Sequence, residues 1–80
     1  MRLPRDVSGS EIVKALRILG YVVSRQSGSH IRVTTMENGE HRVTIPNHNP
    51  IKLGTLASIL DDVASHFDIS RDEILRRIDL

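Results

Sequence analysis

The side chains best suited to moving protons near neutral pH in this 80-residue chain are its four histidines, His30, His41, His48 and His66. Imidazole titrates near pH 6.5 when unperturbed, and there is no cysteine to compete for the role. Position separates the four. His30 follows Gly28 and Ser29 where a loop enters a strand, so glycine would let a substrate backbone approach while the strand gives the imidazole a rigid base. An ordinary exposed strand histidine would look the same in sequence. His48 follows Pro46-Asn47 in the loop that leaves a later strand, and pairing of His30 with Pro46 would bring it near His30. A polar residue at a loop tip is the plainer reading of His48. His41 at a hairpin and His66 near a helix end are expected to face solvent, the latter favoured by the helix dipole.

Other chemistries fit poorly. No two histidines stand at helical i, i+4 or alternating strand spacing, and the adjacent Asp61 and Asp62 do not face each other, so neither a metal nor any other cofactor is expected. Ser29 beside His30 cannot form a triad, because neighbouring strand residues point to opposite faces and no third partner is evident. Ser27-Gly28-Ser29 is too short and too poor in lysine for a nucleotide-binding loop. Arg25, Arg32, Arg42 and Lys52 are available as separate phosphate contacts, or are scattered solubilising charge.

Positioning these residues requires the following elements. Ser8 caps a first helix, Glu11 closes a capping box, Val7 staples to Ile12, and Gly20 ends the helix; Ile12, Val13, Leu16 and Leu19 share one face. Period-two alternation and β-branched residues then predict strands over Tyr21 to Gln26, His30 to Met36 and His41 to Pro46. For Val33 to oppose Val43 and Ile31 to oppose Ile45, the second connection needs an odd length, which Glu37-Asn38-Gly39 with a left-handed Gly39 supplies. The same parity makes Ser27-Gly28-Ser29 the loop between the first two strands. A longer helix begins near Gly54-Thr55, buries Leu56, Ile59, Leu60, Val63, Ala64 and Phe67, and stops before Asp68. A second capping box, Ser70 with Glu73 and an Ile69 to Ile74 staple, opens a short last helix burying Ile74, Leu75 and Ile78. The expected fold is α+β, α-β-β-β-α-α, a three-stranded antiparallel sheet with helices on one face and His30, Arg32, Thr34, Arg42 and Thr44 on the other.

At this length residues 1–80 are expected to form one domain, burying roughly 60% of the surface that the unfolded chain exposes. The absence of cysteine rules out disulfides and agrees with a reducing compartment, so the cytoplasm is the expected location. Apolar runs are too short for a signal-peptide core or a membrane span. Tyr21 and Phe67 are the only aromatic residues, so a nucleic acid would be gripped by polar groups rather than by stacking. The net charge of +1 divides unevenly, as +4 over residues 1–60 and −3 over 61–80, and a polyanion should approach the first part.

In order, the chain carries Leu3-Pro4, Ser8-Gly9 opening a helix, Leu19-Gly20-Tyr21, Arg25-Gln26-Ser27-Gly28-Ser29-His30, Val43-Thr44-Ile45-Pro46-Asn47-His48, and Gly54-Thr55-Leu56 leading to Ile59-Leu60. This succession, from about Leu3 to Ile78, resembles the HicA (YcfA-like) family. The resemblance implies a fold similar to the double-stranded-RNA-binding domain, a ribonuclease that degrades mRNA and arrests growth, and neutralisation by a HicB-type antitoxin; the lack of a ligand cluster makes that ribonuclease metal-independent in expectation. It gives the catalytic role to His30, the histidine of the Gly-Ser-His motif. His48 matches a histidine commonly present in the family, and Arg25, Gln26, Gly28, Ser29, Arg32, His48 and Lys52 are the expected RNA-binding or supporting residues. The chain departs from its lysine-rich relatives in having two lysines, which weakens the expected grip on RNA. A non-catalytic RNA-binding module and a protein built only to dock a partner are the rival readings.

Overall fold

The computed structural model describes residues 3–80. Its elements are α1 (Gly9–Ala15), a 3-10 turn (Leu16–Leu19), β1 (Val22–Ser27), β2 (His30–Thr35), β3 (His41–Pro46), α2 (Leu53–Phe67) and α3 (Arg71–Arg77). The strands form one antiparallel sheet in the order β1-β2-β3, and α1 and α2 both pack against β3. This is the expected α+β architecture. Ile12, Leu16, Tyr21, Val33, Ile45, Leu56, Leu60, Val63 and Ile74 are buried together, leaving the other sheet face open.

The first capping box forms as expected. The Glu11 N–H donates to Ser8 Oγ, and the Ser8 N–H donates to Glu11 Oε1, each at 3.1 Å. The expected single α-helix instead tightens after Ala15 into the 3-10 turn before ending at Gly20, whose φ is 86°. At three residues per turn Leu16 and Leu19 eclipse, so both reach the core while Ile18 stays outside. Ser70 caps α3 by accepting from the Glu73 N–H, but the Glu73 carboxylate binds Arg76 and Arg77, so the second box is half formed. Helix α2 begins at Leu53, ahead of the expected Gly54, and ends before Asp68 as expected.

Strands β2 and β3 take the expected register, Val33 opposite Val43 and Ile31 opposite Ile45, with these four buried and Arg32, Arg42 and Thr44 exposed. The ladder stops at the Thr35–His41 pair, so Met36 joins the connection instead of β2. Asn38 and Gly39 are both left-handed there, with φ of 57° and 95°. The connection between β1 and β2 corrects the sequence reading. Ser27 pairs with His30, which leaves only Gly28-Ser29 as the loop and shifts β1 to Val22–Ser27. Gly28, at φ 55°, takes the positive-φ first position typical of a type II′ turn. The lost loop residue reappears as a register shift between Val23 and Arg25, making Ser24 the extra residue of a β-bulge. The odd count inferred for the loop therefore resides in the strand.

Candidate active site

The bulge decides which side chains meet. Because strand residues alternate faces, an unbulged β1 would put Val23 and Arg25 on the same side. With Ser24 inserted, Val23 opposes buried Val33 while Arg25 opposes exposed Arg32. The open face thus presents three rows across β1, β2 and β3. They are Val22–Thr34–Arg42, Arg25–Arg32–Thr44, and Ser27–His30–Pro46. Arg25, Ser27, His30, Arg32 and Thr44 line a depression of about 160 Å³. A second depression, of about 390 Å³, continues along β2 from the same two arginines to Ser24, Thr34, Glu40 and Arg42.

Two like charges set directly opposite each other across strands are destabilising. Among the described residues, neither Arg25 nor Arg32 has a carboxylate within ion-pair reach, whereas Arg42, Arg71, Arg76 and Arg77 each do. The pair therefore costs the fold something and gains no ion pair among the described residues. The two guanidinium groups are available to an anion. The Ser24 hydroxyl, 2.8 Å from Thr34 Oγ1 and 3.3 Å from the Arg32 carbonyl, which accepts from it, ties the bulge to β2 beside them.

The other expected site residues are placed as follows. Gln26 opposes buried Ile31, so the register puts it on the helix side of the sheet, away from His30. Gly28 and Ser29 form the turn before His30, and the Ser29 carbonyl accepts from the Asn47 N–H at 2.7 Å, tying the loop after β3 to the hairpin. His48 is exposed in that loop. Its carbonyl accepts from the Gly9 N–H, and its imidazole lines neither depression. Lys52 is exposed at the start of α2, also outside both depressions. Gly9 makes this assembly possible: a Cβ there would run into the Pro46 carbonyl oxygen.

The histidines at the opposite end behave differently from expectation. His41 and His66 are half-buried, not solvent-facing. His41 bonds the Tyr21 hydroxyl through Nδ1 at 2.7 Å and Asp62 Oδ1 through Nε2 at 3.2 Å. The Asp62 carboxylate only accepts, so Nε2 carries a proton, and in the neutral imidazole Nδ1 then accepts from Tyr21. Burial, with the Asp62 charge adding to it, pushes the Tyr21 phenol far up and keeps it a donor. His66 stacks on His41 with ring centres 4.4 Å apart, and its Nε2–H donates to the Glu37 carbonyl at 2.9 Å. Asn38 donates to the His66 carbonyl at 2.9 Å. The turn between β2 and β3 is thereby held to α2, which accounts for the early end of the ladder. Among the described residues, the imidazoles of His30 and His48 have no hydrogen-bond partner. Two histidines are thus occupied in structure and two are free for chemistry. No group of three or more His, Asp or Glu suited to holding a metal occurs among the described residues.

A protein-family model described as the HicA toxin of bacterial toxin-antitoxin matches residues 9–64. That span runs from the first residue of α1 through most of α2 and includes the whole sheet. No curated protein and no solved structure matches the chain.

Proposed function

Because this chain belongs to the HicA toxin family of bacterial toxin-antitoxin systems, we propose that it is a cytoplasmic endoribonuclease that cleaves mRNA with His30 and is restrained by a HicB-type antitoxin. The observation carrying this reading is that His30 shares a depression with Arg25 and Arg32, two adjacent guanidinium groups without a carboxylate partner among the described residues. Guanidinium is a planar, permanently charged donor suited to phosphate oxygens.

The chemistry follows from these groups. A neutral ring nitrogen of His30 removes the proton of an RNA 2′-hydroxyl, and the 2′-oxygen attacks the neighbouring phosphorus. Arg25 and Arg32 neutralise the charge that builds on the non-bridging oxygens. The bond to the 5′-oxygen breaks, and that oxygen takes its proton from water or from His48. The products are a 2′,3′-cyclic phosphate and a 5′-hydroxyl. No step calls for a metal ion or another cofactor. Gly28, Ser29 and Lys52 support by position: the first two set His30 at the head of β2, and Lys52 adds positive charge at the start of α2.

Incubating the purified protein with RNA tests the reading. Discrete fragments ending in cyclic phosphate are expected, at the same rate in excess chelator. A mobility shift without cleavage would instead support the non-catalytic RNA-binding module. Cleavage that vanishes with EDTA and returns with a divalent ion would contradict the metal-independent chemistry.

A further inference from the structure

The second depression holds a group of side chains that phosphate binding does not use. Glu40 stands just before β3 and pairs with Arg42 two residues on, so a carboxylate and a guanidinium lie side by side on the open face. Both are exposed, and the Ser24 and Thr34 hydroxyls border the same space. Glu40 offsets the charge of Arg42, so this end of the furrow offers the backbone of a nucleic acid less positive charge than the Arg25–Arg32 pair does. It is well suited to a base edge. A carboxylate accepts through two oxygens, and guanine is the RNA base that presents two neighbouring N–H donors, N1 and N2, on its Watson–Crick edge. Guanine also carries O6 on that edge, an acceptor for the guanidinium beside the carboxylate.

We infer that Glu40 and Arg42 form a base-selective subsite that takes a guanine flanking the phosphate held at Arg25, Arg32 and His30. The proposal rests on the ribonuclease reading for its substrate. The placement is consistent in scale. Along β2 the rows of His30, Arg32 and Thr34 advance by about 6.7 Å each, and Arg42 lies diagonally about 7 to 8 Å from Arg32. A nucleotide with its phosphate over the arginine pair therefore has its base within reach of Glu40 and Arg42. With no Phe, Tyr or Trp lining either depression and His30 at the far end from Glu40 and Arg42, the base would be read by hydrogen bonding rather than by stacking.

Two hexaribonucleotides decide the matter, one of uridine alone and one with a single internal guanine. The wild-type protein should cut the guanine-containing strand about tenfold or more faster, a ratio within the range a bidentate base contact supplies. In Glu40→Gln, which replaces one acceptor oxygen by a donor, and in Arg42→Ala, the ratio should fall toward one. No preference in the wild type, or a preference untouched in both variants, would overturn the subsite while leaving ribonuclease activity standing. If the wild type cuts neither strand, the ribonuclease reading fails, and the same two strands are compared by fluorescence anisotropy. Tighter binding of the guanine strand, lost in Glu40→Gln, would still support the subsite; equal binding would overturn it.

Discussion

At the scale of single residues, the face that each side chain occupies separates function from scaffolding. Arg25 and Gln26 are neighbours in the sequence, but the bulge at Ser24 sends Arg25 to the His30 face and Gln26 to the other. Arg25→Ala should therefore slow RNA cleavage about tenfold or more, the loss expected for a charge-assisted hydrogen bond of roughly 1.5–3 kcal/mol. Gln26→Ala should leave the rate nearly unchanged. Equal effects of the two would mean that the bulge does not sort them. Gly9 gives the complementary case of a residue required by packing. Its Cβ would collide with a backbone carbonyl of β3's end, an atom that cannot swing aside. Gly9→Ala should lower stability by about 1–3 kcal/mol in denaturant unfolding, and a value near zero would refute the close approach.

At the scale of elements, the sheet is held at two ends by different means. Near His30, the Asn47 N–H on the Ser29 carbonyl ties the loop after β3 to the β1–β2 turn. At the far end, Tyr21, His41, Asp62 and the stacked His66 fasten the β2–β3 turn to α2. Tyr21→Phe removes the donor to His41 and should cost about 0.5–1.5 kcal/mol without affecting cleavage chemistry, read by thermal denaturation beside an activity assay. Helix α3 is anchored in the core by Ile74, and exposed ion pairs add a little to it. The hydrogen bond from Arg71 holds the Asp61 carboxyl below the usual carboxylate range, and those from Arg77 and Arg76 do the same for Glu73. A carboxyl depressed in the folded state contributes fully above its ordinary pKa, and the contribution is lost as pH falls through the depressed value. Amide protection in α3 should therefore be slightly higher at neutral pH than below about pH 4; protection in α3 that does not change between the two would contradict this. The helices, the three strands and the β2–β3 register were legible in the sequence because capping boxes and period-two burial are local signals. The bulge was not. Parity showed that one extra residue was needed between Val23 and His30, but a loop of three and a loop of two with a bulged strand satisfy it equally. The clamp at His41 was also hidden, since Tyr21, Asp62 and His66 are brought to it only by tertiary packing.

At the scale of the whole molecule, the charge is divided in the way the proposed RNA binding requires. The positive excess lies in residues 1–60, which hold the whole sheet, and the negative excess lies in residues 61–80, which hold α3. With Arg25 and Arg32 meeting phosphates, the logarithm of RNA affinity should fall with the logarithm of salt concentration at a slope of roughly −1.4 for single strands. A much steeper slope would mean a larger basic surface than the open face of the sheet. Among the described residues, no helix is long and apolar enough to cross a membrane. The central claim is that an exposed imidazole beside an unpaired arginine pair cuts RNA, and His30→Ala tests it most directly. The His30 side chain is exposed and makes no hydrogen bond among the described residues, so alanine should change folding stability by less than about 0.5 kcal/mol and leave antitoxin binding intact. Cleavage of RNA by the purified variant should nevertheless fall about a hundredfold or more, and its expression without antitoxin should cease to arrest growth. A folded His30→Ala protein that cuts RNA at the wild-type rate would contradict the claim.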